Sequence, residues 1–374
     1  MTGAQIIVLA TPVFLLSIAV EYIVGVRRGR NTYRLNDMLS SVGLGIMSQL
    51  VGVYGALVAV AAYTLAFEHV ALWKLPGDSS WVWVAGLVTY DFCYYWRHRL
   101  GHTVALFWAA HVVHHQSEDY NLSTALRQTS SGWIGDWLFY LPMALLGFPP
   151  LVFAVVTLVD LLYQFWVHTQ QIGKLGWFDR WFCAPSNHRV HHAVNDKYLD
   201  KNYGGIFLVW DHLFESHIAE DDAEPCVYGT RGPLRSWNPL WANAQHYADL
   251  AKDSWRTQRW SDKLRVWFMP PGWRPADVAA RWPKPAFDIT AVQRYDPPIS
   301  PRAQWLAAAL FVVLLGATAL FLWNAHRLAL PQQLLCVLGL MAGLWGVGRI
   351  SEPRVAMTAV ADPARDAGQA VSPR

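Results

Sequence analysis

The chain has 374 residues, of which 53% are hydrophobic and only 15% are charged. This charged fraction lies below the roughly 25% that is usual in soluble domains, and the 21 tryptophans suit a membrane–water interface. A net charge of +3 excludes the strongly basic composition of a nucleic-acid-binding protein, and four widely separated cysteines exclude a disulfide framework.

The N-terminal part of the sequence contains long apolar segments. Residues 4–25 are longer than the core of a signal peptide and follow no basic stretch, so we expect a retained membrane helix. The loop RRGRNTYR (27–34) carries four arginines, and the positive-inside rule places it in the cytoplasm. A second span is predicted at 39–67 and a third at 81–96, which returns the chain to the cytoplasmic side.

The middle of the chain combines an apolar stretch with a mixed one. Residues 133–168 are apolar but are interrupted by GFPP at 147–150, where the prolines break a helix. We therefore expect a hairpin of two short spans that ends at His168. Residues 170–302 are rich in proline, tryptophan and charge, and they are predicted to form a cytoplasmic domain packed on the membrane face.

Further spans at 303–323 and 331–349 bring the predicted number to seven. The fold is expected to be an all-α, multi-pass helical bundle with a cytoplasmic, histidine-rich dimetal cap. The predicted parts are N-terminal membrane helices (1–80), a catalytic core (81–302), a C-terminal helix pair (303–349) and a disordered tail (350–374).

Histidines are concentrated in three short motifs, HRLGH (98–102), HVVHH (111–115) and HRVHH (188–192). Positions i, i+3 and i+4 share one face of an α-helix, so each motif directs two or three imidazoles to one place. Neighbouring imidazoles repel each other when protonated, whereas a metal cation binds their neutral nitrogens. The predicted metal ligands are His98, His102, His111, His114, His115, His188, His191 and His192.

These ligands exceed what one ion binds, so two metal ions are predicted. Imidazole suits iron, zinc, copper and nickel alike, and ligand type alone does not choose among them. A ninth candidate is His168 in LLYQFWVHT, at the end of a predicted span. Gln164 lies one turn before it on the same face, and polar side chains at this depth require partners. The remaining histidines are isolated and are interpreted as interface or core residues.

The three motifs on a polytopic chain resemble the fatty acid hydroxylase/sterol desaturase superfamily. The surrounding segments, among them SEDYNLSTALRQ (117–128), LLYQFWVHTQQIGKLG (161–176) and DKNYGG (200–205), are similar more specifically to the alkylglycerol monooxygenase family. The resemblance covers about residues 91–240, which correspond to the family's catalytic core.

This resemblance implies a non-haem diiron centre held by the eight clustered histidines, with His168 joining them. It also implies O2 as oxidant, tetrahydrobiopterin as reductant and an ether lipid as substrate. The family's reaction hydroxylates the carbon next to the ether oxygen of a 1-O-alkylglycerol, and the product collapses to a fatty aldehyde and glycerol. No residue of this chain is assigned to the pterin.

The chain departs from the pattern of the family's animal members at three positions. Thr103 follows the first motif where those enzymes have an acidic residue, Asn187 precedes the last motif where they have a histidine, and Gln170 stands where they have an acidic residue. These departures put the electron donor and the substrate in doubt more than the metal site.

Polar neighbours are expected to orient the imidazoles by accepting their free N–H groups. Asp91 lies two turns before His98 on the same helical face, and DKNYGG reads as a turn whose glycines allow close backbone approach. The residues predicted to support the site are Gln164, Asp91, Asn195 and Asp200, with Glu118, Asp119 and Asp196 as further candidates.

Two other functions remain open from the sequence. The first is a sterol or fatty acid hydroxylase, or a desaturase, of the same superfamily with a cytochrome or ferredoxin donor, although no fused cytochrome domain is visible. The second is a membrane metal carrier or sensor, which would need ligands along a path inside the spans. The expected partners are a membrane lipid and O2. The expected location is the bacterial inner membrane or the endoplasmic reticulum, with the metal site on the cytoplasmic face.

Overall fold

The computed structural model describes residues 2–353. The first part of the chain contains long helices joined to short ones that carry the histidine motifs. They are α1 (Gly3–Arg27), α2 (Leu35–His69), α3 (Ser80–Thr103), α4 (Ala105–His115), α5 (Leu122–Ala125), α6 (Leu141–Leu145), α7 (Pro150–Trp166), α8 (Phe178–Trp181), α9 (Pro185–His191) and α10 (Val209–Leu213). Two 3-10 turns, Gly132–Ile134 and Asp136–Tyr140, precede α6.

The second part contains amphipathic helices and then a long apolar pair. These are α11 (Pro239–Arg256), α12 (Trp260–Phe268), α13 (Ala276–Arg281), α14 (Pro301–Asn324) and α15 (Leu330–Ile350). Residues 2–353 contain no β-strand, only two isolated antiparallel bridges. The expected all-α class is therefore confirmed, while the predicted tail falls almost wholly outside the described residues.

Helix starts follow from the local sequence. Thr2 and Gln5 form a capping box at α1, so side chains satisfy N–H groups that have no partner inside the helix. Asn238 accepts from the backbone N–H groups of Leu240 and Trp241, and Pro239 occupies the first position of α11.

Within residues 2–353, four helices, α1, α2, α14 and α15, are long and apolar enough to cross a membrane. Large apolar side chains on their outer faces are well over half exposed, among them Leu16, Leu57, Val312 and Leu335, which suits contact with lipid. The chain is thus a multi-pass membrane protein by helix length and composition.

The number of predicted spans is corrected from seven to these four. The span expected at 81–96 lies within α3, whose buried Asp91 and histidines lower its hydropathy. The first limb of the expected hairpin consists of two 3-10 turns and a five-residue helix, and its second limb, α7, has only 17 residues. The break itself is confirmed, because Gly147 adopts φ 86° and Pro150 begins α7.

Two apolar cores hold the bundle together. One joins α2 to α14 and α15, with Leu50 and Ala307 fully buried at its centre. The other joins α3 to α6 and α7, and there Tyr63 of α2 stacks on Phe153 at 4.2 Å between ring centroids. The second core thus packs α3 against α7, the two helices that lead to His98 and His168.

Candidate metal centre

Four elements bring the nine predicted imidazoles together. The end of α3 carries His98 and His102, α4 carries the second motif, α9 and its C-cap carry the third, and His168 follows α7. Their ligand atoms form two groups, in each of which all atoms lie within 4.8 Å of one another. The five-histidine group contains His98, His102, His111, His115 and His191. The four-histidine group contains His114, His168, His188 and His192.

Each HxxHH motif divides its side chains between the two groups. In α4, His111 and His115 belong to the five-histidine group, and His114 belongs to the other. In the last motif, His191 joins the five-histidine group while its neighbours in the motif join the four-histidine group. Residues four apart share a helical face, whereas adjacent residues point about 100° apart, so one motif reaches two centres.

Main-chain carbonyl groups fix the orientation of four rings. Nδ1 of His98 donates to the carbonyl of Tyr203 at 2.8 Å, and Nδ1 of His191 to that of Lys201 at 3.0 Å. Nδ1 of His114 donates to the carbonyl of Arg127 at 2.8 Å. A carbonyl oxygen can only accept, so Nδ1 carries the proton and Nε2 presents a lone pair to the interior.

The inward nitrogens of the four-histidine group lie in contact. Nε2 of His168 is 3.1 Å from Nε2 of His114 and 3.0 Å from Nε2 of His188. Because His168 also donates Nδ1 to the carbonyl of Gln164 at 2.8 Å, the facing nitrogens of His114 and His168 are both acceptors. No hydrogen bond joins two acceptors, and a cation bound by both nitrogens relieves their repulsion.

The five-histidine group shows the same pattern. Nε2 of His111 lies 3.0 Å from Nε2 of His98 and 3.1 Å from Nε2 of His115. Nε2 of His102 and Nε2 of His191 are buried without a hydrogen-bond partner. Buried nitrogen atoms that lack partners are costly in a folded protein, so this donor set also fits a bound metal ion.

Burial keeps these rings neutral, which is the form that binds metal. Desolvation lowers the pKa of His114 to about 4 and that of His191 to about 3, below the ordinary value of 6.5. The hydrogen bonds to the carbonyls of Arg127 and Lys201 oppose this shift only in part. At neutral pH both side chains therefore offer uncharged nitrogen ligands.

Among the predicted supporting residues, only Asp200 and Gln164 lie next to a ring. Oδ1 of Asp200 is 3.8 Å from Nδ1 of His102, a separation that a water molecule can bridge. Gln164 orients His168 through its backbone carbonyl, while its side chain bonds to Tyr94 and Asp160.

Asp91 and Asn195 do not make the expected contacts with imidazoles. The carboxylate of Asp91 accepts from the backbone N–H of Ile206 at 2.7 Å and from the indole N–H of Trp210 at 2.8 Å. Asn195 donates to the carbonyl of Pro225 and accepts from the N–H of Val227. Both side chains therefore stabilise loops, because they form hydrogen bonds with nearby backbone groups and not with the imidazoles.

The other acidic candidates also bind partners other than histidine. Asp119 pairs with Arg34 at 2.8 Å, Glu118 accepts from the N–H of Tyr295, and Asp196 pairs with Arg231. These contacts tie the histidine-bearing segment to neighbouring loops.

Sequence reasoning missed two residues that position rings. Asp211 is fully buried and accepts from the N–H groups of Tyr203 at 2.8 Å and Gly204 at 2.7 Å, which fixes the carbonyl that His98 uses. Arg127 supplies the carbonyl for His114, and its buried guanidinium holds the carbonyl of Val113 at 2.8 Å. Neither residue occurs in a metal-ligand motif, so spacing gave no signal for them.

The three histidine motifs lie within a segment that matches a known protein family. The sequence model of the family described as "Fatty acid hydroxylase" matches residues 83–216. Alkylglycerol monooxygenase of Xenopus tropicalis is 37% identical over 347 residues, which cover 92% of this chain and 77% of that protein. The chain belongs to the alkylglycerol monooxygenase family.

Other relatives define how far this similarity extends. Human alkylglycerol monooxygenase is 40% identical over 267 residues, or 71% of this chain, and the chain spans 59% of the human protein's length. The ornithine lipid hydroxylase of Rhizobium tropici is 27% identical over 179 residues, which cover 48% of this chain and 54% of that protein. No solved structure matches the chain.

The side chains at the three departures from the family's animal members form hydrogen bonds with backbone groups and none with the histidine rings. Thr103 bonds to the carbonyl of Arg99 one turn earlier, and Gln170 donates to the carbonyl of Tyr120. Asn187 accepts from the N–H of Ala184 at the start of α9. Each side chain therefore has a structural partner in this chain.

A cavity of about 400 Å³ leads from the membrane helices to the histidines. Its apolar part is lined by α1 and α14, including Val8, Leu15 and Leu315. Its other end reaches His111 of the five-histidine group and both His114 and His168 of the four-histidine group. An apolar chain from the bilayer can therefore approach both groups of imidazoles.

Proposed function

We propose that this chain is a membrane-bound, non-haem diiron monooxygenase that hydroxylates the carbon next to the ether oxygen of alkylglycerols. O2 is the oxidant and tetrahydrobiopterin the electron donor. One oxygen atom is placed on the carbon, the other leaves as water, and the donor supplies two electrons. The hemiacetal product then breaks its C–O bond to give a fatty aldehyde and glycerol.

The observation that carries the proposal is an apolar cavity that ends at two separate groups of neutral imidazoles. A C–H bond beside an ether oxygen has no acidic proton, so acid–base side chains alone cannot cleave it. Two irons held by these groups would supply the activation of O2 that such a bond requires. Iron is preferred over zinc because the reaction is an oxidation and zinc is not redox-active, and it is preferred over copper and nickel because the resemblance to the family implies a diiron centre.

In the proposed reaction, residues of the chain orient the imidazole rings and position the substrate. The carbonyls of Tyr203, Arg127 and Gln164 hold the Nδ1 atoms of three rings and aim their Nε2 atoms inward. The walls formed by α1 and α14 are apolar and exclude water from a bound alkyl chain. This arrangement would hold one carbon of the substrate near the imidazoles, which is the main requirement for selective attack.

The proposed location is supported by the charge around the centre. Arg28 donates to the carbonyl of Gln171, and Arg34 pairs with Asp119, so the arginine-rich loop after α1 packs beside the histidine-bearing segments. Positive loops favour the cytoplasmic face of a membrane. We therefore place the metal centre there, within the proposed catalytic core at 81–302.

The proposal is tested by fatty aldehyde release from a 1-O-alkylglycerol in iron-loaded membranes that contain the protein, with and without tetrahydrobiopterin. Aldehyde that depends on the pterin is the expected result. His114→Ala should abolish it with the fold intact, because a ligand is lost. His326→Ala is the matched control, since His326 is exposed on a 3-10 turn far from the centre in sequence, and it should leave activity unchanged.

The alternatives give different outcomes in the same assay. A lipid hydroxylase or desaturase with another substrate would bind iron but release no aldehyde with any donor, and the ornithine lipid hydroxylase relative makes that class the next to test. A metal carrier or sensor would exchange its metal readily and show no O2-dependent turnover.

A further inference from the structure

Polar side chains interrupt the apolar wall of the large cavity near the histidines. Tyr94, Arg97, Asp136, Asp160 and Gln164 all line it, and we refer to these five residues as the polar collar. The collar is distinct from the metal ligands and from the apolar part of the cavity. None of its members belongs to a histidine motif.

A hydrogen-bond chain and an ion pair organise the collar. The hydroxyl of Tyr94 donates to Oε1 of Gln164 at 2.6 Å, and Nε2 of Gln164 donates to Oδ2 of Asp160 at 2.5 Å. Nη2 of Arg97 pairs with the carboxylate of Asp136. The collar therefore joins α3 to α7 and to the 3-10 turn after α5.

The collar adjoins both groups of imidazoles. Tyr94 lies one helical turn before His98, and their ring centroids are 5.2 Å apart. Gln164 lies one turn before His168, and its backbone carbonyl accepts a hydrogen bond from Nδ1 of that ring. A group bound at the collar would thus lie within one helical turn of either metal site, beside the reacting position.

Several collar atoms keep unused hydrogen-bonding capacity. Asp160 is 2% exposed, and its Oδ1 has no hydrogen-bond partner. Arg97 keeps 23% of its side-chain surface open, and among the described residues only its Nη2 makes a hydrogen bond. Such groups are costly beside an apolar cavity unless a ligand pairs with them. The unused acceptor of Asp160 and the unused donors of Arg97 match hydroxyl groups, since each hydroxyl both donates and accepts.

We propose that the polar collar binds the hydroxyl groups of the lipid's head, while the alkyl chain extends along α1 and α14. The carbon at the junction of head and chain then lies beside His111 and His114. This inference rests on the proposed function, because it assigns the residues that select the substrate's head and set which carbon reacts.

Binding without turnover tests the assignment. The full-length, iron-loaded protein in lipid nanodiscs is titrated in the absence of O2 with 1-O-hexadecylglycerol and with its di-O-methyl ether, which has no hydroxyl donors. The unmodified protein should bind the diol about tenfold or more tightly than the ether, as expected for hydroxyl bonds in a buried site. Equal affinities would overturn the proposal.

Substitutions in the polar collar test which residues cause the preference for the diol over the ether. Asp160→Leu should remove most of the tenfold difference and leave binding of the ether unchanged, with the iron content retained. Tyr94→Phe, which removes only a hydroxyl, is the second variant if Asp160→Leu does not fold. It frees the side chain of Gln164 from its hydrogen bond and should also weaken the preference for the diol over the ether. Thr89→Val is the control, because Thr89 bonds to its own helix and does not line the cavity.

The outcomes separate this inference from the proposed function. Variants that weaken binding of the diol and the ether equally, with the preference intact, would show that the collar only supports the helices, and the inference would fail. A diol preference that depends on the collar, without aldehyde in the turnover assay, would keep the inference and refute the proposed reaction.

Discussion

His114 and His168 face each other through their Nε2 atoms at 3.1 Å, while the Nδ1 atom of each ring is bonded to a main-chain carbonyl. His114 belongs to the HVVHH motif, whereas His168 lies outside the motifs and follows α7, a helix that lines the cavity. Two lone pairs held this close by the backbone define a metal position better than histidine spacing alone does.

This relationship predicts the effect of His168→Ala. The variant should retain about one of two irons per chain, because the five-histidine group is intact while the four-histidine group loses its central ligand. Iron per chain is measured by elemental analysis of the purified protein. His102→Ala should also lose about one iron, and combining both substitutions should remove both ions. Full iron content in His168→Ala would remove this residue from the centre.

Helical spacing predicted eight of the nine imidazoles, because residues three and four apart share one face of a helix, and His168 was predicted from its place at the end of an apolar segment. The spacing alone did not bring the separate motifs together. It also could not divide the imidazoles into groups of five and four. That division depends on how α4 and α9 are rotated against each other, and packing decides this rotation. The same limit applies to Asp91, which has the right helical position but is bonded by the N–H of Ile206, 115 residues away.

The membrane helices show a related limit. Hydropathy located α1, α2, α14 and α15, because each is apolar throughout. Hydropathy also predicted a membrane-spanning helix at 133–145, which the structure does not contain. Pro142 and the glycines at 132 and 135 favour short turns there over a long helix. The polar collar could not be predicted, since its residues come from three distant segments and only the fold brings them together.

Asp211 is predicted to act on one metal site through the backbone. Asp211→Ala removes the acceptor for the N–H groups of Tyr203 and Gly204, and the carbonyl that holds His98 should become mobile. We expect preferential loss of iron from the five-histidine group. Adding His102→Ala should then cause little further loss, whereas adding His168→Ala should remove the remaining iron. Equal loss from both groups would indicate a general defect in folding instead.

Arg127 is predicted to contribute to stability more than any surface arginine. Its guanidinium is 1% exposed and bonds to the carbonyl of Val113 and to Gln116 and Ser40. Arg127→Met leaves these acceptors buried without that donor, and we expect a loss of about 1–3 kcal/mol in unfolding free energy. The measurement is thermal or denaturant unfolding in detergent.

The matched control for this prediction is Lys174→Met. Lys174 pairs with Asp222 at 2.8 Å on an exposed surface, where water and salt screen the ion pair, so Lys174→Met should change the stability little. A loss for Arg127→Met no larger than that of the control would mean that water replaces the guanidinium at little cost.

Gly205 is predicted to be required by the polar collar. A Cβ at this position would lie 2.6 Å from Oδ1 of Asp160 and 2.9 Å from Cδ1 of Tyr94, closer than real side-chain contacts allow. Gly205→Ala should therefore displace the collar, weaken diol binding and destabilise the fold by about 1–3 kcal/mol. Gly173→Ala is the control, since nothing lies within 4 Å of its Cβ. If Gly205→Ala keeps the diol preference of the unmodified protein, the collar tolerates displacement, and its close contact with the glycine does not set headgroup recognition.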